Sequence, residues 1–247
     1  MTTPLPLAST VLPREGPQSR LLVLLHGYGQ PTAELTDRIG VIDPHGRFRV
    51  VVPEAPFERR GHPIWHRAIS AREEAEEQYL ASLVAIDALL GEAEAELGLP
   101  AADAVVGGFS QGGGLALALL LGADVVHRPA AAFGVCSFPP IVTGFRVDRV
   151  AAAGRPYFLS SARDDHFAPI EVSRTGAAII RETGIELTYV ESDGGHVMTD
   201  DAAAQIGEWL AAVDEGRSRP PLDDDRDALL AATQGRDYFE DLWDLVS

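Results

Sequence analysis

The pentapeptide Gly108-Phe109-Ser110-Gln111-Gly112 limits what this chain can fold into more than any other stretch. An apolar run over 104–109 leads into it, and an apolar helical pattern over 110–121 leads out. A strand that passes through Gly-x-Ser-x-Gly straight into a helix turns very sharply. Side chains two residues either side of the serine would collide, so both places need glycine. The serine at the apex is held in strained backbone with its hydroxyl facing outward. The helix that begins there aims N–H groups at whatever lies beside that hydroxyl. A serine hydroxyl is a weak nucleophile, so the turn acquires chemistry only if other loops bring it a base.

The rest of the chain alternates short apolar runs with amphipathic stretches. Runs at 21–25, 49–52, 104–109, 130–136, 156–160 and 185–190 read as strands. Helical patterns cover 73–97, 110–121, 169–181 and 200–213. In the first of these, Leu80, Leu83, Val84, Ile86, Leu90 and Leu97 lie near helical spacing, and Gly98 and Pro100 stop it. Strands that alternate with helices predict an α/β fold with a mostly parallel central sheet and helices on both faces. In such sheets ligands bind beyond the carboxyl ends of the strands. No internal repeat is visible. The pattern predicts one domain over 1–215, followed by an acidic extension over 216–247. Residues 216–225, with two prolines and three consecutive aspartates, read as a linker. Residues 228–247 (with Leu229, Leu230, Tyr238, Phe239, Leu242, Trp243 and Leu245) read as one or two short amphipathic helices, a surface tail, a lid or an oligomer contact.

Composition excludes several classes. The net charge of −17 disfavours nucleic acid and anionic membrane surfaces, which call for a basic footprint. No apolar run approaches the roughly 20 residues of a spanning helix, so no stable membrane insertion is expected. Residues 1–12 lack a basic segment and a long apolar stretch, so a signal peptide is not expected. All twenty basic residues are arginine. Without lysine the chain cannot form a Schiff base through an amine, hold a lysine-bound pyridoxal, or close a phosphate loop with lysine. The single cysteine, Cys136, cannot form an intramolecular disulfide and fits a reducing, cytoplasmic setting. In its apolar run it reads as a small packed hydrophobe. The cluster Glu73, Glu74, Glu76 and Glu77 has no His or Cys support and reads as a solvated helix face, so no metal is expected.

Candidates for the missing partners lie past later strand ends. Of seven histidines, His166 and His196 fall among or after the later strands. His196 follows strand 185–190 through Ser192-Asp193-Gly194-Gly195, whose glycines let the backbone carry an imidazole close to Ser110. The acid that orients such an imidazole is Asp164 or Asp165, both just past strand 156–160. Spacing alone leaves the two open, and Asp193 lies too near His196 along the chain. An oxyanion needs two N–H donors. The amide of Gln111 is one, and the amide of Tyr28, in Leu25-His26-Gly27-Tyr28-Gly29 after the first strand, is the other. Trp65, Phe138, Phe167 and Val197 fall on loops near this point and are expected to line an apolar ligand site.

Taken together, Leu25-His26-Gly27-Tyr28-Gly29, Gly108-Phe109-Ser110-Gln111-Gly112-Gly113, the Asp loop ending in Pro169, and Gly195-His196 resemble the phospholipase/carboxylesterase family of α/β-hydrolases, which includes the acyl-protein thioesterases. The likeness runs over about 20–213. Trp65 matches a tryptophan this family usually carries beside its active site. The family's Asp loop reads Gly-x-x-Asp with a proline four residues on, and counting back from Pro169 selects Asp165. Ala162 stands where the family has glycine. The resemblance implies the α/β-hydrolase fold and a cofactor-free serine esterase with Ser110, Asp165 and His196 as catalytic residues. It also implies a small-molecule ester as substrate, of short to medium chain length. An acyl thioesterase or a lysophospholipase would share every catalytic residue. A hydrolase fold used only for binding would commonly lack the Ser or the His. A dienelactone-type hydrolase usually carries Cys where Ser110 stands. Residues 216–247 lie outside the resemblance, and a homodimer is compatible with it.

Overall fold

The computed structural model describes residues 7–13, 15–67, 72–139 and 142–214. The extension expected over 216–247, with its linker and helices, lies outside the described residues. A seven-stranded sheet runs in the order β1-β3-β2-β6-β7-β8-β9. Its strands are β1 (Ser9–Val11), β2 (Arg20–Leu25), β3 (Phe48–Pro53), β6 (Val105–Phe109), β7 (Ala131–Val135), β8 (Pro156–Ala162) and β9 (Glu186–Ser192). Strand β1 pairs antiparallel with β3, and every other pairing is parallel. A two-stranded hairpin, β4 (Phe57–Arg59) and β5 (His62–Ile64), stands apart from it. The longer helices are α3 (Arg72–Leu97), α4 (Gln111–Leu121), α6 (Ile170–Glu182) and α7 (Asp200–Asp214). Single turns form α1 (Ala33–Thr36), α2 (Ile39–Ile42) and α5 (Arg149–Ala152).

Both faces of the sheet are covered, and the strand sequences explain how. Side chains alternate faces along a strand. Leu21, Val23 and Leu25 join one core with Leu83, Ile86 and Leu90 of α3 and the apolar run of α4. Leu22 and Leu24 join the opposite core with Phe133, Phe158, and Ile206 and Trp209 of α7. A strand buried on both sides has no polar alternation, which is why these runs read as unbroken apolar segments. Helix α4 is buried from Gly112 to Leu121, so it too is apolar all round.

The chain order changes direction between β2 and β6. From β2 it runs outward to β3, then returns to add β6 on the other side of β2. Ligand sites of open parallel sheets form beyond the carboxyl ends of strands at such a point. Here those ends carry His26-Gly27-Tyr28 and Ser110, and the pairing of Leu25 with Gly108 sets them side by side.

The sequence pattern leaves out three features. Strand β1 is exposed along its whole length, so it carries no burial alternation to read. The β4–β5 hairpin contains Pro63 and turns at Arg60-Gly61, both at positive φ (52° and 81°). That conformation is the one two-residue hairpins favour, although Asn-Gly is its usual signal. The single-turn helices are too short to show a period. On α3, Val84 lies off the expected stripe and is 43% exposed.

Candidate active site

Ser110 sits at φ 50°, ψ −116°, between β6 and α4. Its N–H donates to the Val135 carbonyl at 2.9 Å, which ties the turn to the neighbouring strand. The flanking glycines are explained by direct contact: a Cβ at Gly108 would strike the main chain of Gly112, and one at Gly112 would strike the carbonyl of Leu25.

Two further loops converge on this turn. The ends of β8 and β9 continue to bond past the sheet, through Arg163 N–H to Ser192 O (2.9 Å) and Asp164 N–H to Gly194 O (3.0 Å). This zipper brings Asp165 to His196. The imidazole Nδ1 lies 2.7 Å from Asp165 Oδ2, and Nε2 lies 3.0 Å from Ser110 Oγ. With Nδ1–H donating to the carboxylate, Nε2 is left to accept from the serine hydroxyl. Asp165 Oδ1 accepts from the amides of Phe167 and Ala168, both at 2.8 Å. Burial pushes this carboxyl's pKa up. The His196 hydrogen bond, the Ala168 amide, the His196 charge and the Phe167 amide push it down and win, so it sits below the ordinary aspartate value. Asp164 is exposed, and His166 is exposed on the same loop. The imidazole packs between two aromatic rings, Phe109 at 4.8 Å and Phe167 at 5.2 Å between centroids.

The loop after β2 is braced from beneath. His26 is buried, and its Nε2 accepts from Ala55 N–H at 3.0 Å. Its Nδ1–H therefore donates to Gly27 O at 2.7 Å. Burial holds its pKa below the usual histidine value, against the pull of the Gly27 carbonyl and of Glu54. In this loop the Gly27 N–H donates to Gln30 Oε1, the Gly29 N–H to Pro63 O and the Gln30 N–H to Gly27 O. Among the described residues no acceptor faces the N–H of Tyr28. The N–H of Gln111 opens α4, where a helix has no internal acceptor to offer. Its side chain accepts from Trp65 N–H (3.2 Å) and donates to His66 O (2.9 Å), joining the start of α4 to the segment after β5.

The four expected lining residues separate. Phe167 (74% exposed) and Val197 (54% exposed) stand open beside His196, and Phe138 is half-buried past β7, with its carbonyl over the first turn of α4. Trp65 is 0% exposed. It presents no wall to a ligand; its Nε1–H donates to the His26 carbonyl at 2.8 Å and its ring packs on that imidazole. The hairpin absent from the sequence reading turns Trp65 inward beneath the loop. Three residues at the site escaped that reading. In the sequence His26 reads only as part of a glycine turn, Phe109 only as the variable place of the pentapeptide, and Cys136 only as a small packed hydrophobe. No periodic signal marks them, because each acts through partners from distant strands.

One group of three metal-ligand types occurs among the described residues: Cys136, Asp165 and His196, with ligand atoms within 4.8 Å of one another. Asp165 and His196 already spend their facing atoms on each other. Burial, and the nearby Asp165 charge, push the Cys136 thiol up to about 12. A protonated thiol is a poor metal ligand. No described helix is long and apolar enough to cross a membrane.

The arrangement has counterparts among known proteins. The profile of the phospholipase/carboxylesterase family matches residues 7–213. MhqD of Bacillus subtilis (strain 168), a protein named as a hydrolase, is 24% identical over 195 residues, which span 79% of this chain and 94% of MhqD. A carboxylesterase of Bacillus cereus superposes with a TM-score of 0.73 at 19% identity, over 83% of this chain and 93% of that one. Acyl-protein thioesterase 2 of Zea mays superposes with a TM-score of 0.68 at 19% identity, over 83% and 98%.

Proposed function

This chain belongs to the phospholipase/carboxylesterase family of α/β-hydrolases, and we propose that within it the chain is a serine carboxylesterase acting on short- to medium-chain esters. The observation that carries this reading is the unbroken hydrogen-bond chain from Ser110 Oγ through His196 to Asp165. His196 takes the hydroxyl proton as Ser110 attacks the ester carbonyl. Asp165, ionised and fixed by two amides, holds the imidazole in the tautomer whose Nε2 can accept and stabilises the imidazolium that forms. The negative oxygen of the tetrahedral intermediate lies between the amides of Tyr28 and Gln111. His196 then returns the proton to the leaving alcohol, and an acyl group stays on Ser110. Water, deprotonated by His196, attacks this ester, and the acid departs with Ser110 restored.

One observation favours a modest acyl chain. Phe167 and Val197 offer open apolar surface next to His196. No deep, closed tunnel is needed to shelter a chain of this length. The same machinery would serve a thioester, and the superposition with a thioesterase keeps that substrate in view. A panel of p-nitrophenyl esters, acyl thioesters and a lysophospholipid separates the classes by kcat/KM. The test of the reading itself is Ser110→Ala on a short p-nitrophenyl ester. Turnover should fall by about 10⁶. A variant that keeps wild-type turnover would remove Ser110 from the reaction.

A further inference from the structure

We propose that Cys136 is a positioning residue, whose thiol donates to the Asp165 carboxylate and so limits the charge that Asp165 presents to His196. The proposal rests on the esterase reading above. It starts from backbone strain. Among the described residues, only Arg60, Ser110 and Cys136 are non-glycine residues at positive φ. The hairpin turn explains Arg60 and the strand-to-helix turn explains Ser110. Cys136, at φ 49°, belongs to neither. Such a conformation is strained for a residue with a Cβ and persists where the surroundings impose it, often at a working site.

Its place in the sheet gives the reason. Cys136 directly follows β7, which lies between β6, bearing Ser110, and β8, leading to Asp165. The end of β7 bonds both neighbours: Val135 O accepts from Ser110 N–H at 2.9 Å, and Cys136 N–H donates to Ser160 O at 2.8 Å. The left-handed turn therefore carries Sγ beneath the meeting point of the two loops. There Sγ, an Asp165 oxygen and an imidazole nitrogen lie within 4.8 Å of one another. Asp165 Oδ1 is saturated by two amides, while Oδ2 has one donor, His196. An ionised carboxylate oxygen can take a second. In this structure Sγ donates to Val197 O in a long hydrogen bond of 4.0 Å, from which the thiol proton can turn toward Oδ2. Buried beside a carboxylate, the thiol keeps its proton, so it serves as donor and not as nucleophile.

The consequence concerns the pH at which activity appears. A donor on Oδ2 draws charge away from the oxygen that pairs with the imidazolium. Removing the donor favours the protonated imidazole, so the acid limb of kcat/KM moves to higher pH. Other groups around His196 do not change in this comparison. They are Asp164 and His166 on the loop after β8, both exposed, and Asp193 on its own loop, which is paired with Arg163 at 2.8 Å. Ser110 and the Phe109 and Phe167 rings complete the surroundings.

Cys136→Ala and Cys136→Ser both keep Cβ, and with it the backbone strain. The acid limb is measured on a short p-nitrophenyl ester. Cys136→Ala should move it up by roughly 0.5 pH unit. Cys136→Ser, with a stronger O–H donor, should move it to the wild-type position or below. Should the alanine variant fail to fold, the serine variant alone decides, since an upward shift contradicts the proposal. An unmoved limb in Cys136→Ala, with only plateau rate or thermal midpoint altered, makes Cys136 a packing residue and overturns it. Ser110→Ala in the same assay reports on the esterase reading separately, because its loss of turnover does not depend on position 136.

Discussion

Two histidines of this chain occupy nearly the same local setting and face opposite demands. His26 follows strand β2 and precedes Gly27; His196 follows the β9 loop and comes after Gly195. Both are bonded through both ring nitrogens. His26 uses main-chain partners, Gly27 O and Ala55 N–H, and is fully buried. His196 uses side chains, Asp165 and Ser110, and is part-exposed. The difference lies in what each proton can do. An amide N–H cannot give up its proton, so the tautomer of His26 is locked and its ring is a brace. A serine hydroxyl can, so under the proposed mechanism the same imidazole chemistry at position 196 is a route for a proton. Type of residue and flanking glycine do not separate the two; the partners do.

The contrast can be broken by paired substitutions. His196→Ala should lower kcat on a short ester by about 10⁶, and Asp165→Asn by about 10⁴, through loss of the productive tautomer. In the His196 variant the urea midpoint should stay near wild type, because a part-exposed ring carries little of the packing. His26→Ala reverses the pattern. It leaves the buried Ala55 N–H without its acceptor, while Gly27 O keeps the Gln30 N–H, so stability should fall by about 1–3 kcal/mol in urea unfolding. Its kcat loss should be far smaller than that of His196→Ala. Equal losses of turnover in the two alanine variants would erase the distinction between brace and base.

A smaller effect sharpens it. The folded pKa of His26 is held down by burial. Below the unfolded histidine value of about 6.5, the unfolded chain therefore binds the proton first. Stability contributed by the neutral ring is complete above that pH and is lost as pH falls through 6.5 toward the lower folded value. His66 is shifted in the same direction by burial, so wild type carries both contributions. The difference in urea stability between wild type and His26→Gln should shrink as pH drops from about 7 to 5. A difference constant across that range would mean that His26 titrates alike folded and unfolded.

The sheet was legible because parallel strands buried on both faces leave unbroken apolar runs, as in Leu21 to Leu25 and in Val105 with Val106. The serine turn was legible because sterics fix its two glycines. What escaped reading depends on contacts between distant segments. The tie between Ala55 and His26 spans 29 residues. Cys136 gains its neighbours only from the order β6-β7-β8, which no local pattern states. Trp65 shows the same limit from the other side. Its nearness to the site was readable, but its inward turn comes from a hairpin that contains Pro63 and an Arg-Gly turn in place of the usual signals. Asp164 and Asp165 are adjacent and chemically identical, so spacing alone leaves them open; the family's proline spacing selects Asp165, and in the structure it is Asp165 Oδ2 that meets His196 Nδ1 while Asp164 is exposed.

The central claim is that Ser110 is the nucleophile because His196, and not some general reactivity of the fold, activates it. The direct measurement is labelling with a fluorophosphonate, followed by mapping of the modified peptide by mass spectrometry. The account predicts a single phosphonylated residue, Ser110, in the wild-type chain, and almost no labelling in His196→Ala. Labelling at another residue, or equal labelling of Ser110 with and without the imidazole, would contradict it.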